Sequence, residues 1–270
     1  ERVCLPPSLG QEFYNRDYYG TVHHNTRAVY VKYLGFFDGN PSTLYPLPPT
    51  ESAARYLDYM GGADAVVFKA KHSFKAGDYR WVAEVLNHVV MADPEHIEGR
   101  ALLADTLEQL GYQSESAPWR NFYLCGALEL REGLPESRAF NPSGGIAAGI
   151  PIENFFQVLA VRLLPEAAQD LDLGIELVFT DLNCRYLLSI RNSVLNYFKN
   201  PENSAHQVSL AIASLDFKNL LMGATDAATL IEKQQMAIEG DATRLLSLRE
   251  LFDQFVRRFP LVTPRDQGMV

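Results

Sequence analysis

Two adjacent histidines, His23 and His24, stand in the stretch YYGTVHHNTRAVYVKYLGFFDGNP, residues 18–41. An imidazole can ligate a metal or move a proton near neutral pH. Arg27 adds a fixed positive charge three residues after His24. Asn25 is a good N-cap for a helix over TRAVYVKYLGFF, because its side chain can accept from the first free backbone N–H groups. His24 then sits at the positive end of that helix, where unpaired N–H groups and the helix dipole attract anions such as sulfate or phosphate. A metal ligand, an arginine and a helix N-terminus together suit an anionic ester. A catalytic zinc, however, takes three protein ligands. His72, His88, His96 and His206 are scattered, and neither HxH, HExxH nor GxSxG occurs. Two histidines in a polar loop can also be simply solvated, so the residues by themselves leave both readings open.

The elements that must hold these residues come from 270 positions, enough for two domains. An apolar content of 47 %, with 15 Phe and 13 Tyr, supplies packed cores and argues against disorder. The net charge of −9 argues against a nucleic-acid partner, which needs clustered Lys and Arg. Cys4, Cys125 and Cys184 lack the spacing of a zinc cluster or a disulfide framework and read as ordinary thiols. No apolar run reaches the roughly 20 residues that span a bilayer, and ERVCLPPSLGQEF is not a signal peptide.

Residues 1–50 read as irregular chain around the histidine stretch, closing in the proline-rich connector DGNPSTLYPLPPTES. From 51 to 133 apolar residues recur at helical spacing, in segments each stopped by Gly or Pro. Gly77-Asp78-Tyr79 and Gly111-Tyr112-Gln113 lie 34 residues apart, the period of a tetratricopeptide-like bundle. Residues 134–151, LPESRAFNPSGGIAAGIP, read as a linker; GGIAAG follows no strand and is not a dinucleotide fingerprint. Over 152–270 the pattern predicts an apolar helix at FFQVLAVRLL. Strands follow at LGIELVFTD, CRYLLSIRN, SVLNYFKN and HQVSLAIAS, then helices at SLDFKNLLMG and TDAATLIEKQ. A last strand, MAIEG, precedes one long helix, DATRLLSLRELFDQFVRRFP, capped by Asp241. The fold class is α+β and multidomain: a helical bundle, then helices over an antiparallel sheet.

The strings YYGTVHHNTRAVYVKYLGFFDGNP, RYLDYMGGADAV, GDYRWVAEVLNHVVMADP and LLADTLEQLGYQSESAPWRNFYLCGALELREG closely resemble the alkylsulfatases. These are the SDS-hydrolase branch of the metallo-β-lactamase superfamily, and the likeness covers nearly the whole chain. The tail around MAIEGDATRLLSLRELFDQF resembles that family's C-terminal domain, which is similar to sterol carrier protein 2.

The resemblance implies a two-zinc hydrolase that converts alkyl sulfate esters into alcohol and sulfate. Its HxHxDH motif does not occur here, so most metal ligands are expected in an N-terminal metallo-β-lactamase domain outside this chain. Residues 1–50 then form the tail of the catalytic domain, 51–133 a dimerisation domain and 152–270 a sterol-carrier-like domain. His24 matches the last metal ligand, in the family's GTVxHN string, and His23 inherits no role. This chain alone is expected to be inactive. Arg27, Asn25, Tyr19 and Arg80 are candidates to touch the substrate. Apolar faces around Trp81, Leu86 and Trp119 are candidates for a homodimer contact. Phe155, Phe156, Leu210, Leu220 and Leu221 are candidates to line an alkyl-chain tunnel, and a non-catalytic alkyl-binding and dimerisation module is the alternative function. The resemblance favours a bacterial periplasmic or secreted location, with the cytoplasm as the alternative.

Overall fold

The computed structural model describes residues 3–134, 148–202, 205–246, 248–253 and 258–265. Most of the expected linker, 135–147, falls outside these residues. Two compact units form: residues 1–137 with 256–270, and residues 138–255.

The first unit is helical. A one-turn helix, α1 (Pro7–Gly10), precedes α2 (Val22–Leu34) and α3 (Pro49–Met60). Then come α4 (Ala63–Lys75), α5 (Tyr79–Ala92), α6 (Ile97–Gln113) and α7 (Ala117–Glu132). Pro49 opens α3, where a missing N–H costs nothing. Gly61, at φ 93°, closes it, and the Gly62 N–H returns to the Leu57 carbonyl at 2.8 Å. α5 buries Val82, Val85, Leu86, Val89 and Val90, a stripe at helical spacing against which α3, α4 and α6 pack. Leu86 is wholly buried in this core, so it is not available to a second copy; Trp81, on the same helix, is 52 % exposed. Gly77 takes φ +80° in the α4–α5 turn, as the repeat pattern requires. Gly111, its expected counterpart, lies in the last turn of α6 instead of in a turn. A Cβ there would come within 2.9 Å of Leu124, so this glycine serves the close approach of α6 and α7.

The tail also belongs to this unit. The Glu129 carboxylate on α7, only 5 % exposed, accepts the backbone N–H groups of Leu261 (2.7 Å), Val262 (3.2 Å) and Thr263 (3.1 Å). It also accepts the Thr263 hydroxyl at 2.8 Å, and Val262 packs on the helical core.

The second unit carries α8 (Ile152–Arg162), the single turn α9 (Pro165–Ala168), β1 (Asp172–Phe179), β2 (Cys184–Arg191) and β3 (Val194–Lys199). β4 (Val208–Ile212), α10 (Ser214–Met222), α11 (Ala227–Glu232), β5 (Met236–Gly240) and the single turn α12 (Thr243–Leu246) complete it. All five expected strands form. The sheet is mixed, however, in the order β3-β2-β1-β4-β5, with β4 parallel to β1 and the other pairs antiparallel. Among the described residues the long final helix is not continuous. Asp241 does accept from the Thr243 N–H at 3.1 Å, yet the chain turns into a 3-10 segment at Leu248–Leu251. There the Leu251 carbonyl takes the Leu164 N–H (2.8 Å), and the Asp253 N–H goes to the Arg162 carbonyl (2.7 Å). Backbone groups bonded to residues 162–164 are withdrawn from a helical ladder.

Candidate functional site

The histidine stretch begins with Gly20. A Cβ at this position would lie 3.3 Å from the Asn25 side chain, so glycine gives Asn25 room to fold back over the chain. Thr21, 5 % exposed, is the N-cap of α2: its Oγ1 accepts the His24 N–H at 2.9 Å. Asn25 therefore sits inside the first turns, and its own N–H bonds the Thr21 carbonyl at 2.9 Å. The cap falls four residues earlier than the sequence suggested, because a threonine in extended conformation (φ −121°, ψ 149°) offers its oxygen first.

This changes the electrostatics of the helix start. The Val22 N–H is bonded to the Asp17 carboxylate at 3.2 Å, and the His24 N–H to Thr21. The expected seat for an anion on free N–H groups is thus largely filled, partly by a negative charge. Positive charge is presented by side chains instead. His24, Arg27, Ala28, Val31 and Lys32 line an open recess of 510 Å³. Their spacing, i, i+3, i+4, i+7 and i+8, is one stripe of a helix. Two cations, one imidazole and two small apolar side chains face the same space, a surface suited to an anionic head on an apolar chain. Lys32 was missed in the sequence, although continuing the helical spacing from His24 and Arg27 would have found it.

The other expected residues are dispersed. Tyr19 is 80 % exposed, and its contribution is its carbonyl, which accepts the Ser116 hydroxyl at 2.5 Å. Arg80 lies exposed near the start of α5, and no hydrogen bond or ion pair among the described residues joins it to His24. His96 serves as the N-cap of α6, accepting the Gly99 N–H at 3.1 Å on Nδ1. Trp119 on α7 meets the His24 ring edge to face, with centroids 6.2 Å apart.

An imidazole is an ordinary zinc donor, and His24 is exposed and able to serve as one. Among the described residues no group of three or more His, Cys, Asp or Glu is placed to hold a metal ion. The donor set present here fits one coordination position and no more.

Comparison with known proteins gives the family. A model of alkyl sulfatase dimerisation matches residues 1–133, and one of the alkyl sulfatase C-terminal region matches residues 142–264. A linear primary-alkylsulfatase of Pseudomonas sp. is 42 % identical over 267 residues, which are 98 % of this chain and 39 % of that protein. An alkyl/aryl-sulfatase of Saccharomyces cerevisiae is 41 % identical over 264 residues, 98 % of this chain and 41 % of that protein. The solved structure of a stereoselective inverting sec-alkylsulfatase from Pseudomonas sp. superposes with a TM-score of 0.88 at 38 % identity. That match covers 98 % of this chain and 42 % of the solved one. The chain belongs to the alkylsulfatase family, and it spans about two fifths of the length of these relatives.

Proposed function

We propose that this chain is the C-terminal portion of a sulfate-ester hydrolase that cleaves alkyl sulfates to an alcohol and sulfate. His24 supplies one imidazole to a two-zinc centre whose remaining ligands lie in a preceding metallo-β-lactamase-like domain. The observation that carries the reading is the α2 stripe, which sets His24 beside Arg27 and Lys32 in a chain of this family. Zinc there would supply Lewis acidity. Arg27, by charge and reach, holds the sulfate head, with Lys32 one turn further on, while Ala28 and Val31 meet the first carbons of the chain. The helical unit carries homodimerisation, for which exposed Trp81 and Phe68 are suitable material.

The test uses the full-length protein. His24→Ala is expected to lose metal, read by elemental analysis, together with turnover. Arg27→Ala is expected to keep its metal and lose about 10²-fold in kcat/KM. Unchanged kinetics in Arg27→Ala would remove the arginine from the site, and full metal content in His24→Ala would remove the histidine. The alternative, an alkyl-binding module in the second unit, gains no support from the packing. Phe155, Phe156, Leu210 and Leu221 are buried in one continuous core with Leu220 packed against it, and Phe156 is in ring contact with Phe179, Tyr186, Tyr197 and Phe217.

A further inference from the structure

His24 stands on a helix that cannot hold itself in place. α2 is 13 residues long and has no buried residue, and an isolated helix of that length is marginal in water. What fixes its start is the beginning of α7, almost 100 residues further along the chain. The Ser116 Oγ, 2 % exposed as a residue, donates to the Tyr19 carbonyl at 2.5 Å and also caps α7. Next to it the Ala117 N–H donates to the Tyr18 carbonyl at 2.9 Å. Arg16 and Glu115 form an ion pair at the rim, half exposed and therefore worth little. Two residues beyond this clamp Thr21 caps α2, and Trp119, one turn into α7, lies edge-on to the His24 imidazole. Backbone and ring are thus set from the same helix end.

We infer that Ser116 and Trp119 are positioning residues for His24: the start of α7 orients the imidazole as a metal ligand, so the helical unit has a duty at the metal centre besides assembly. This rests on the reading of His24 as a ligand. The clamp holds the chain five and six residues before the imidazole, and the indole packed against the ring restricts its rotation. Outer-shell hydrogen-bond partners that orient a ligating histidine are worth about 10- to 100-fold in metal affinity, which sets the scale for a clamp and a ring contact with the same task.

Two measurements test it. In this chain, selectively labelled histidine reports the ring-current displacement of the His24 protons by NMR, with no metal involved. Ser116→Ala and Trp119→Leu are expected to collapse that displacement, while Ser116→Thr and Trp119→Phe retain most of it. In the full-length protein the first two variants are expected to bind zinc at least tenfold more weakly. Their kcat should fall with little change in KM while oligomer mass stays as in the parent, and Ser116→Ala should also lower the melting temperature by a few degrees as the α7 cap is lost. Loss of metal in His24→Ala with parental affinity in both Ser116→Ala and Trp119→Leu would overturn the positioning role. Full metal content in His24→Ala would instead overturn the ligand reading beneath it, so the two failures are told apart.

Discussion

Tyr186, Glu153 and Lys199 show how single side chains are tuned here. Tyr186 is 1 % exposed and donates its hydroxyl to Glu153 at 2.7 Å, while Lys199 reaches the same oxygen at 2.9 Å. Burial, then the bond to Glu153, pushes the Tyr186 phenol up to about 12. The bonds from Tyr186 and Lys199 hold the Glu153 carboxyl below its usual range. A phenol whose pKa is raised by folding contributes stability that is complete below its unfolded value of 10.0 and is lost as the pH rises through about 12. Tyr186→Phe should therefore cost about 1 kcal/mol at neutral pH and flatten the fall in unfolding free energy between pH 10 and 12. Denaturant titrations across that range check it, and identical slopes in parent and variant would contradict the assigned proton. At the same scale, the GTVHHN string has a physical meaning: glycine for clearance, threonine for the cap, histidine projecting from the first turn. The motif itself was legible in the sequence. The cap was not, because both Thr21 and Asn25 are competent and only the backbone conformation chooses between them.

Among the elements, the β2–β3 hairpin is the most local in its causes. Arg191 pairs with Val194, leaving a two-residue turn, Asn192-Ser193, with φ of 53° and 60°. Both values are positive, as a type I′ turn demands, and asparagine tolerates this region better than most residues. Asn192→Ala is expected to destabilise the second unit by about 1 kcal/mol, and Asn192→Gly to leave it unchanged or slightly firmer. Thermal or urea unfolding of the two variants is the measurement; equal losses in both would point to a side-chain contact in place of backbone strain. The five strands were readable because alternation such as Leu173, Ile175, Leu177 and Phe179 marks one face directly. The parallel β1–β4 pairing was not, since alternation reports a face and carries no information on strand direction. The last helix failed for a related reason. Leu251 and Phe252 are both buried, and helical propensity alone does not reveal that the neighbouring backbone groups bond to residues 162–164. The clamp of Ser116 on Tyr19, 97 residues apart, left no local signal at all.

For the whole molecule, the helical unit with its exposed Trp81, Phe68 and Phe122 predicts a homodimer, in line with the dimerisation region it matches. Light scattering on the full-length protein should give twice the subunit mass, and charged replacements at Trp81 and Phe68 should lower it. A mass that stays at one subunit over a wide concentration range would remove the prediction. The bond between Glu129 and residues 261–263 has a different kind of consequence, one of timing. Translation delivers Leu261 132 residues after Glu129. Until then the Glu129 carboxylate lacks the four donors that it meets in the finished unit. The second unit is synthesised entirely within that interval. The helical unit is consequently begun before the second unit and finished only after it.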